Sequence, residues 1–221
     1  MNINDYLTEF INGSGKSGGR QSGERYTSFD YCFNYFQQFR EDKTLPDIAN
    51  KANIELSCLQ LSFYLASWGM FRGSSFLLEK SSKFFEPVIH TISSTNEIVW
   101  NIDVDKYSDD NITLLLECAE SIANSFGKNN KPTGTLITKI MLGVFGNVPA
   151  FDGNFRKGFK CHSFCKKNLK MINKFYKEHK DQIDRKVIYT LDFTGTETKR
   201  QYTKAKIIDM IGFIKGKKHN R

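Results

Sequence analysis

The stretch PTGTLITKIMLGVFGNVPAFDGNFRKGF, residues 132–159, decides how this chain folds. It opens on a glycine-containing turn at Pro132-Thr133-Gly134 and runs into Thr135–Phe145, where apolar residues fall on nearly every side rather than in one stripe. A helix that is apolar all round needs neighbours all round, so this one belongs at the centre of the core. The segment GNVPAFDGNF then makes a tight connection through Asp152, with Phe155 and Arg156 directly after it.

Working outward, Ile112, Leu115, Leu116, Ala119 and Ile122 recur at helical spacing and predict a helix over about 110–126, with a break at Lys128–Pro132. Phe29, Cys32, Phe33 and Phe36 predict another, capped by Ser28 and ended before Pro46. From Asp47 a second helical region carries Ile54, Leu56, Leu59, Leu61, Phe63 and Leu65 towards Trp68, apolar enough to predict a buried helix. Between Ser74 and Thr91, Phe76, Leu77, Phe84, Phe85, Val88 and Ile89 mark a further helical segment in which Pro87 either kinks the chain or opens a new first turn.

Beyond residue 160, helices are expected at Phe164–His179 and Thr203–Ile214. Between them lies a short strand pair near 187–194, in VIYTLDFTG, and the polar run TETKRQ. The first dozen residues form a short helix, residues 12–24 read as a flexible Gly/Ser loop, and residues 215–221 are a basic tail. Helices joined by short connections, without alternating strands, predict an all-α fold, mainly a helical bundle, as a single domain over 1–221.

A chain of 221 residues with 39% hydrophobic residues, 19 Phe and 9 Tyr buries a core without staples. It carries no apolar run of the roughly 20 residues that span a membrane and begins without a secretory pattern, so a cytoplasmic protein is expected. The five cysteines read as reduced thiols, with Cys32, Cys58 and Cys118 as small core residues. Cys161-His162-Ser163-Phe164-Cys165 has no second ligand pair at zinc spacing, and neither a metal nor another cofactor is expected. GSGKS lacks the leading glycine of a phosphate-binding loop, and the acidic run DVDKYSDD, with Asp103, Asp105, Asp109 and Asp110, reads as a solvated turn.

The net charge is +8, and RKGFKCHSFCKKNLKMINKFYKEHK concentrates cations and aromatics in residues 156–180. Such a surface attracts phosphate backbones because neutralising them releases counterions, so nucleic acid, DNA more than RNA, is the expected partner. The bland alternative is a lysine-rich solvated face. The junction Trp68-Gly69-Met70-Phe71-Arg72-Gly73-Ser74-Ser75 interrupts two apolar segments with two glycines, an arginine and two hydroxyls. It either turns Arg72 towards an anion or a base, or makes a tight corner with Arg72 paired to a carboxylate.

The layout of residues 132–159 resembles the helix-hairpin-helix module and catalytic-aspartate segment of the helix-hairpin-helix DNA glycosylase superfamily. The resemblance implies that the backbone at Gly134 and Thr135 faces a DNA phosphate and that Asp152 stands at the mouth of a base pocket. Asp152 would assist N-glycosidic bond hydrolysis on an extruded nucleotide. Trp68, Phe71 and Phe151 are the candidate aromatics for that pocket, and Arg72, Lys139, Arg156, Lys157, Lys160, Lys166 and Lys167 the candidate nucleic-acid contacts. Leu136 falls where lyase-active members carry a Schiff-base lysine, which implies a monofunctional enzyme unless Lys139 takes that place. Asp152 is equally suited to cap a helix, and the two roles coexist. The expected function is therefore a base-directed DNA glycosylase in genome maintenance or phage–bacterium conflict. The alternative is a non-catalytic nucleic-acid-binding or protein-interaction module of the same fold.

Overall fold

The computed structural model describes residues 2–13 and 18–218. Among these, α1 spans Ile3–Asn12, α2 Ser28–Glu41, α3 Ile54–Ser67, α4 Glu86–Ser93, α5 Glu97–Trp100 and α6 Asp109–Ser125. The second half holds α7 at Gly134–Phe145, α8 at Gly153–Phe159, α9 at Lys166–Glu178, α10 at Lys180–Asp184 and α11 at Lys204–Lys218. Strands β1 (Tyr189–Leu191) and β2 (Glu197–Gln201) pair antiparallel as a single hairpin. The fold is mainly helical with one short strand pair.

Two helices form the centre. Every residue of α7 from Leu136 to Phe145 is buried, as its all-round apolar pattern requires, and Thr133 starts it by accepting the Leu136 N–H on Oγ1 at 3.2 Å. Gly146 ends it in a left-handed conformation (φ 66°), the residue type that conformation favours. The other central helix is α11, buried from Ala205 to Ile214. Its sequence reads as an ordinary amphipathic helix end, but it is enclosed because α8 lies against it backbone to backbone. A Cβ on Gly216 would fall 1.8 Å from the Asn154 carbonyl oxygen, and one on Gly158 would fall 2.3 Å from that of Gly212. Glycine at these positions sets how closely α8 approaches α11, and so where the amino end of α8 sits.

Several sequence expectations are corrected here. The helix α3 is not buried all round: Leu56, Leu59 and Phe63 are exposed, Phe63 by 69%, while Ser57, Cys58, Leu61, Tyr64 and Leu65 face the core. Ser28 does not cap α2 but is its first residue, donating Oγ to the Arg25 carbonyl. Pro87 lies in the first turn of α4, where its missing N–H costs nothing. The hairpin extends past residue 194 because the polar run TETKRQ is itself β2. It alternates, with Thr198 and Arg200 towards Asn34 and Glu41 and with Glu197, Lys199 and Gln201 exposed.

The acidic run is exposed at Asp105, Asp109 and Asp110, as a solvated turn would be, and it also ties neighbouring elements together. Asp103 accepts the Lys204 and Ala205 N–H groups at the start of α11, and Asp109 pairs with Lys166 and Lys170 on α9. Within the loop expected at 12–24, residues 14–17 lie outside the described residues, but Arg20 is tied by an ion pair to fully buried Asp30. The basic tail expected at 215–221 is helical through Lys218, whose ammonium pairs with Glu9, and residues 219–221 lie outside the described residues. No helix of the described residues is long and apolar enough to cross a membrane.

Candidate functional site

The connection from α7 to α8 is held from three sides, and that fixes where Asp152 stands. The Phe151 N–H donates to Thr138 Oγ1 at 2.9 Å, and Thr135 Oγ1 donates to the Phe151 carbonyl at 2.9 Å, both hydroxyls coming from α7. From α11, Asp209 Oδ1 accepts the Ala150 N–H at 3.0 Å. Asp152 then caps α8, its Oδ1 accepting the Phe155 N–H at 2.9 Å. Its second oxygen, Oδ2, points back to Lys139 Nζ at 3.6 Å. The cap therefore uses one oxygen and leaves the other for a charge partner.

Lys139 lies one turn into α7 and is 4% exposed. Its ammonium donates to the Trp68 carbonyl at 3.1 Å and sits 5.1 Å from the centre of the Trp68 ring. Burial lowers its pKa below the ordinary lysine value of 10.5, against the opposing pull of Asp152 and Asp209. A second buried pair stands beside the first: Lys206 Nζ lies 3.2 Å from Asp209 Oδ2, with Lys206 1% and Asp209 6% exposed. Burial raises the Asp209 pKa and neighbouring Asp152 raises it further, while Lys206 opposes both. Two lysines and two aspartates thus form an electroneutral set at the junction of α7, α8 and α11, which is how ionised groups persist away from water.

An aromatic column backs this set. Phe10, Tyr26 and Trp68 stack in order, with ring centres 4.4 and 5.4 Å apart, and Phe213 meets all three edge-on. Arg25 lies over both Tyr26 and Trp68, and Lys206 reaches Phe10, Phe29 and Trp68. The indole Nε1 of Trp68 is buried without a hydrogen-bond partner among the described residues.

The sequence-derived site residues divide accordingly. Asp152, Lys139 and Trp68 come together. Arg156, Lys157 and Lys160 gather around a separate cleft that begins at Gly153. Gly134 is exposed at the start of α7 with open space where a Cβ would be, so its backbone is approachable. The Thr135 hydroxyl is committed to Phe151. Phe151 is 2% exposed and packs against Phe155 and Phe164, which corrects its reading as a base-pocket wall. Lys139 is likewise too deep for a surface phosphate contact.

Phe71 packs on Phe85 and lines a different pocket, of about 770 Å³, with Arg25, Phe63 and Phe193. Arg72 is exposed at the corner after α3, and no hydrogen bond or ion pair joins it to Asp152 or to another described carboxylate. Lys166 is drawn to Asp109, while Lys167 is exposed at the start of α9. Sequence reading missed Arg25, Tyr26, Lys206 and Asp209. The legible signal was Lys206 and Asp209 three apart inside AKIIDMIGFI, a charge pair in an otherwise apolar stretch.

No family model, curated protein or solved structure matches this chain.

Proposed function

We propose that this chain is a DNA-base-directed N-glycosidic bond hydrolase with Asp152 as the carboxylate that assists base departure. The observation that carries the reading is the Lys139–Asp152 pair. A carboxylate is fixed by a helix cap on one oxygen and aimed by its other oxygen at a buried amine of lowered pKa. Preorganised charge of this kind stabilises a developing cationic sugar far better than a freely hydrated carboxylate does. In the proposed step the C1′–N bond breaks and the base leaves with the bonding pair. Water adds its oxygen to C1′, and its proton passes through Asp152 to the departing base. Lys139 holds Asp152 Oδ2 in place from 3.6 Å. Once deprotonated, the desolvated Lys139 amine would instead attack C1′ as the C1′–N bond to the base breaks; opening of the C1′–O4′ bond, with the nitrogen proton passing to O4′, then gives an imine.

The test is base release from a panel of labelled oligonucleotides carrying normal and modified bases, with borohydride trapping in parallel. Asp152→Asn is expected to lower release by at least about 100-fold. A borohydride adduct lost in Lys139→Gln assigns the amine route, and release without an adduct assigns water. Binding without release in both wild type and Asp152→Asn would sink the enzyme reading. It would leave the non-catalytic nucleic-acid module, which is favoured by the depth of Lys139 beneath Trp68.

A further inference from the structure

The cleft between the end of α8 and the start of α9 is chemically unlike the three other described pockets. It encloses about 480 Å³, within the range of roughly 300–1,000 Å³ typical of ligand sites, and is lined by Gly153, Arg156, Lys157, Lys160, Cys161 and His162. No carboxylate lines it, whereas the three other described pockets each include one or more, among them Glu41 and Asp192, Glu24, and Glu55 with Glu86. Several lysines along α9 and α10 are drawn to carboxylates: Lys166 and Lys170 share Asp109, Lys174 pairs with Glu178, and Lys180 with Asp184. Arg156 and Lys160 have no ion pair with a described carboxylate.

The backbone holds this cluster in shape. Lys160 adopts a left-handed conformation (φ 52°) at the end of α8, a position that ordinarily takes glycine. A lysine there is conformationally costly, a cost that Lys43 after α2 also carries. The left-handed residue reverses the chain, so that the Cys161 N–H returns to the Arg156 carbonyl at 3.0 Å and Arg156 Nη1 reaches the His162 carbonyl at 3.4 Å. Arg156, Lys160 and His162 thereby face one space. Gly153 at its edge has nothing within 4 Å of where a Cβ would stand, so a ligand can approach the main chain there.

We propose that this cleft seats a phosphate group, with Arg156 and Lys160 as its principal ligands and His162 beside them. On the nucleic-acid reading above, on which this identification rests, the group is a backbone phosphodiester next to the nucleotide at Asp152, because Gly153 joins the two places. A free phosphate monoester offers the same chemistry, and the experiment separates the two sources.

The full chain is titrated with inorganic phosphate at constant ionic strength and followed by ¹H–¹⁵N correlation spectra. In parallel, anisotropy of a fluorescent oligonucleotide is measured against salt for the wild type, Arg156→Gln/Lys160→Gln and, as a control, Lys174→Gln/Lys177→Gln. Expected are phosphate-induced shifts confined to about residues 153–162 and lost in the first variant. The slope of log affinity against log salt should also become shallower by about 1.5 in that variant, from two lost contacts at roughly 0.7–0.9 each. Shifts that persist in the Arg156/Lys160 variant, or that arise elsewhere, overturn the proposal whether or not base release is seen. Phosphate seated in the cleft by a protein that releases no base leaves the proposal standing and removes the glycosylase reading. Local shifts with an unchanged salt slope overturn the backbone assignment and give the cleft to a free phosphate.

Discussion

Replacing Asp209 by asparagine tests whether the buried charges behave as one electroneutral set. The substitution keeps an oxygen in place for the Ala150 N–H, so it removes the charge while sparing the bond that anchors the connection to α8. Lys206 would then be an ammonium 1% exposed, with its carboxylate at 3.2 Å gone. Removing one partner of a buried pair costs about 3–5 kcal/mol. The ring faces of Phe10, Phe29 and Trp68 at 4.3–5.5 Å from Nζ offset part of this, so the lower end, about 3 kcal/mol, is expected. At about 2–4 °C per kcal/mol for a chain of this size, the melting temperature falls by roughly 6–12 °C. The assay is thermal and urea unfolding by circular dichroism on Asp209→Asn, Lys206→Met and the double variant. Because both charges are gone in the double variant, it should recover most of the loss, giving a coupling energy of about 2 kcal/mol or more. A single-variant cost below about 1 kcal/mol, or a double variant no better than Asp209→Asn, would refute the reasoning.

Thr138→Val leaves the buried Phe151 N–H without an acceptor and should cost about 1–3 kcal/mol in urea unfolding. Gly216→Ala drives a methyl into the Asn154 carbonyl, so a loss of at least about 1–3 kcal/mol is expected, and an unchanged unfolding midpoint would contradict the close α8–α11 approach. Lys139 has a folded pKa below its unfolded value near 10.4. The unfolded chain therefore holds the proton to higher pH, and the group's contribution to stability is present above that value and lost as pH falls through the folded one. Lys139→Met should accordingly flatten the rise in urea midpoint expected as pH climbs towards about 10.4. Phe63→Gln on the exposed face of α3 should change stability by no more than about 0.5 kcal/mol, since its ring is mostly in water already.

The sequence by itself determined the longer helices α1, α2, α3, α6, α7, α9 and α11 and that residues 134–145 lie at the centre, because helix formation and all-round burial are written in local spacing, whereas the short α5 and α10 carry too few turns to show a period. It also marked Asp152 as a helix cap, because a cap asks for that residue type directly before the first helical turn. The exposed face of α3 was illegible, because periodicity reports how apolar a helix is and not how many neighbours arrive to cover it. The burial of α11 was equally hidden. It depends on Gly158 meeting Gly212 and Gly216, 54 and 58 residues further along the chain, and a glycine in isolation signals only flexibility. The pairing of Lys139 with Asp152, and of both with Lys206 and Asp209, was decided by tertiary structure alone. Ionised groups tolerate burial only when opposite charges converge, and that convergence joins α7, α8 and α11 through contacts that no local pattern encodes.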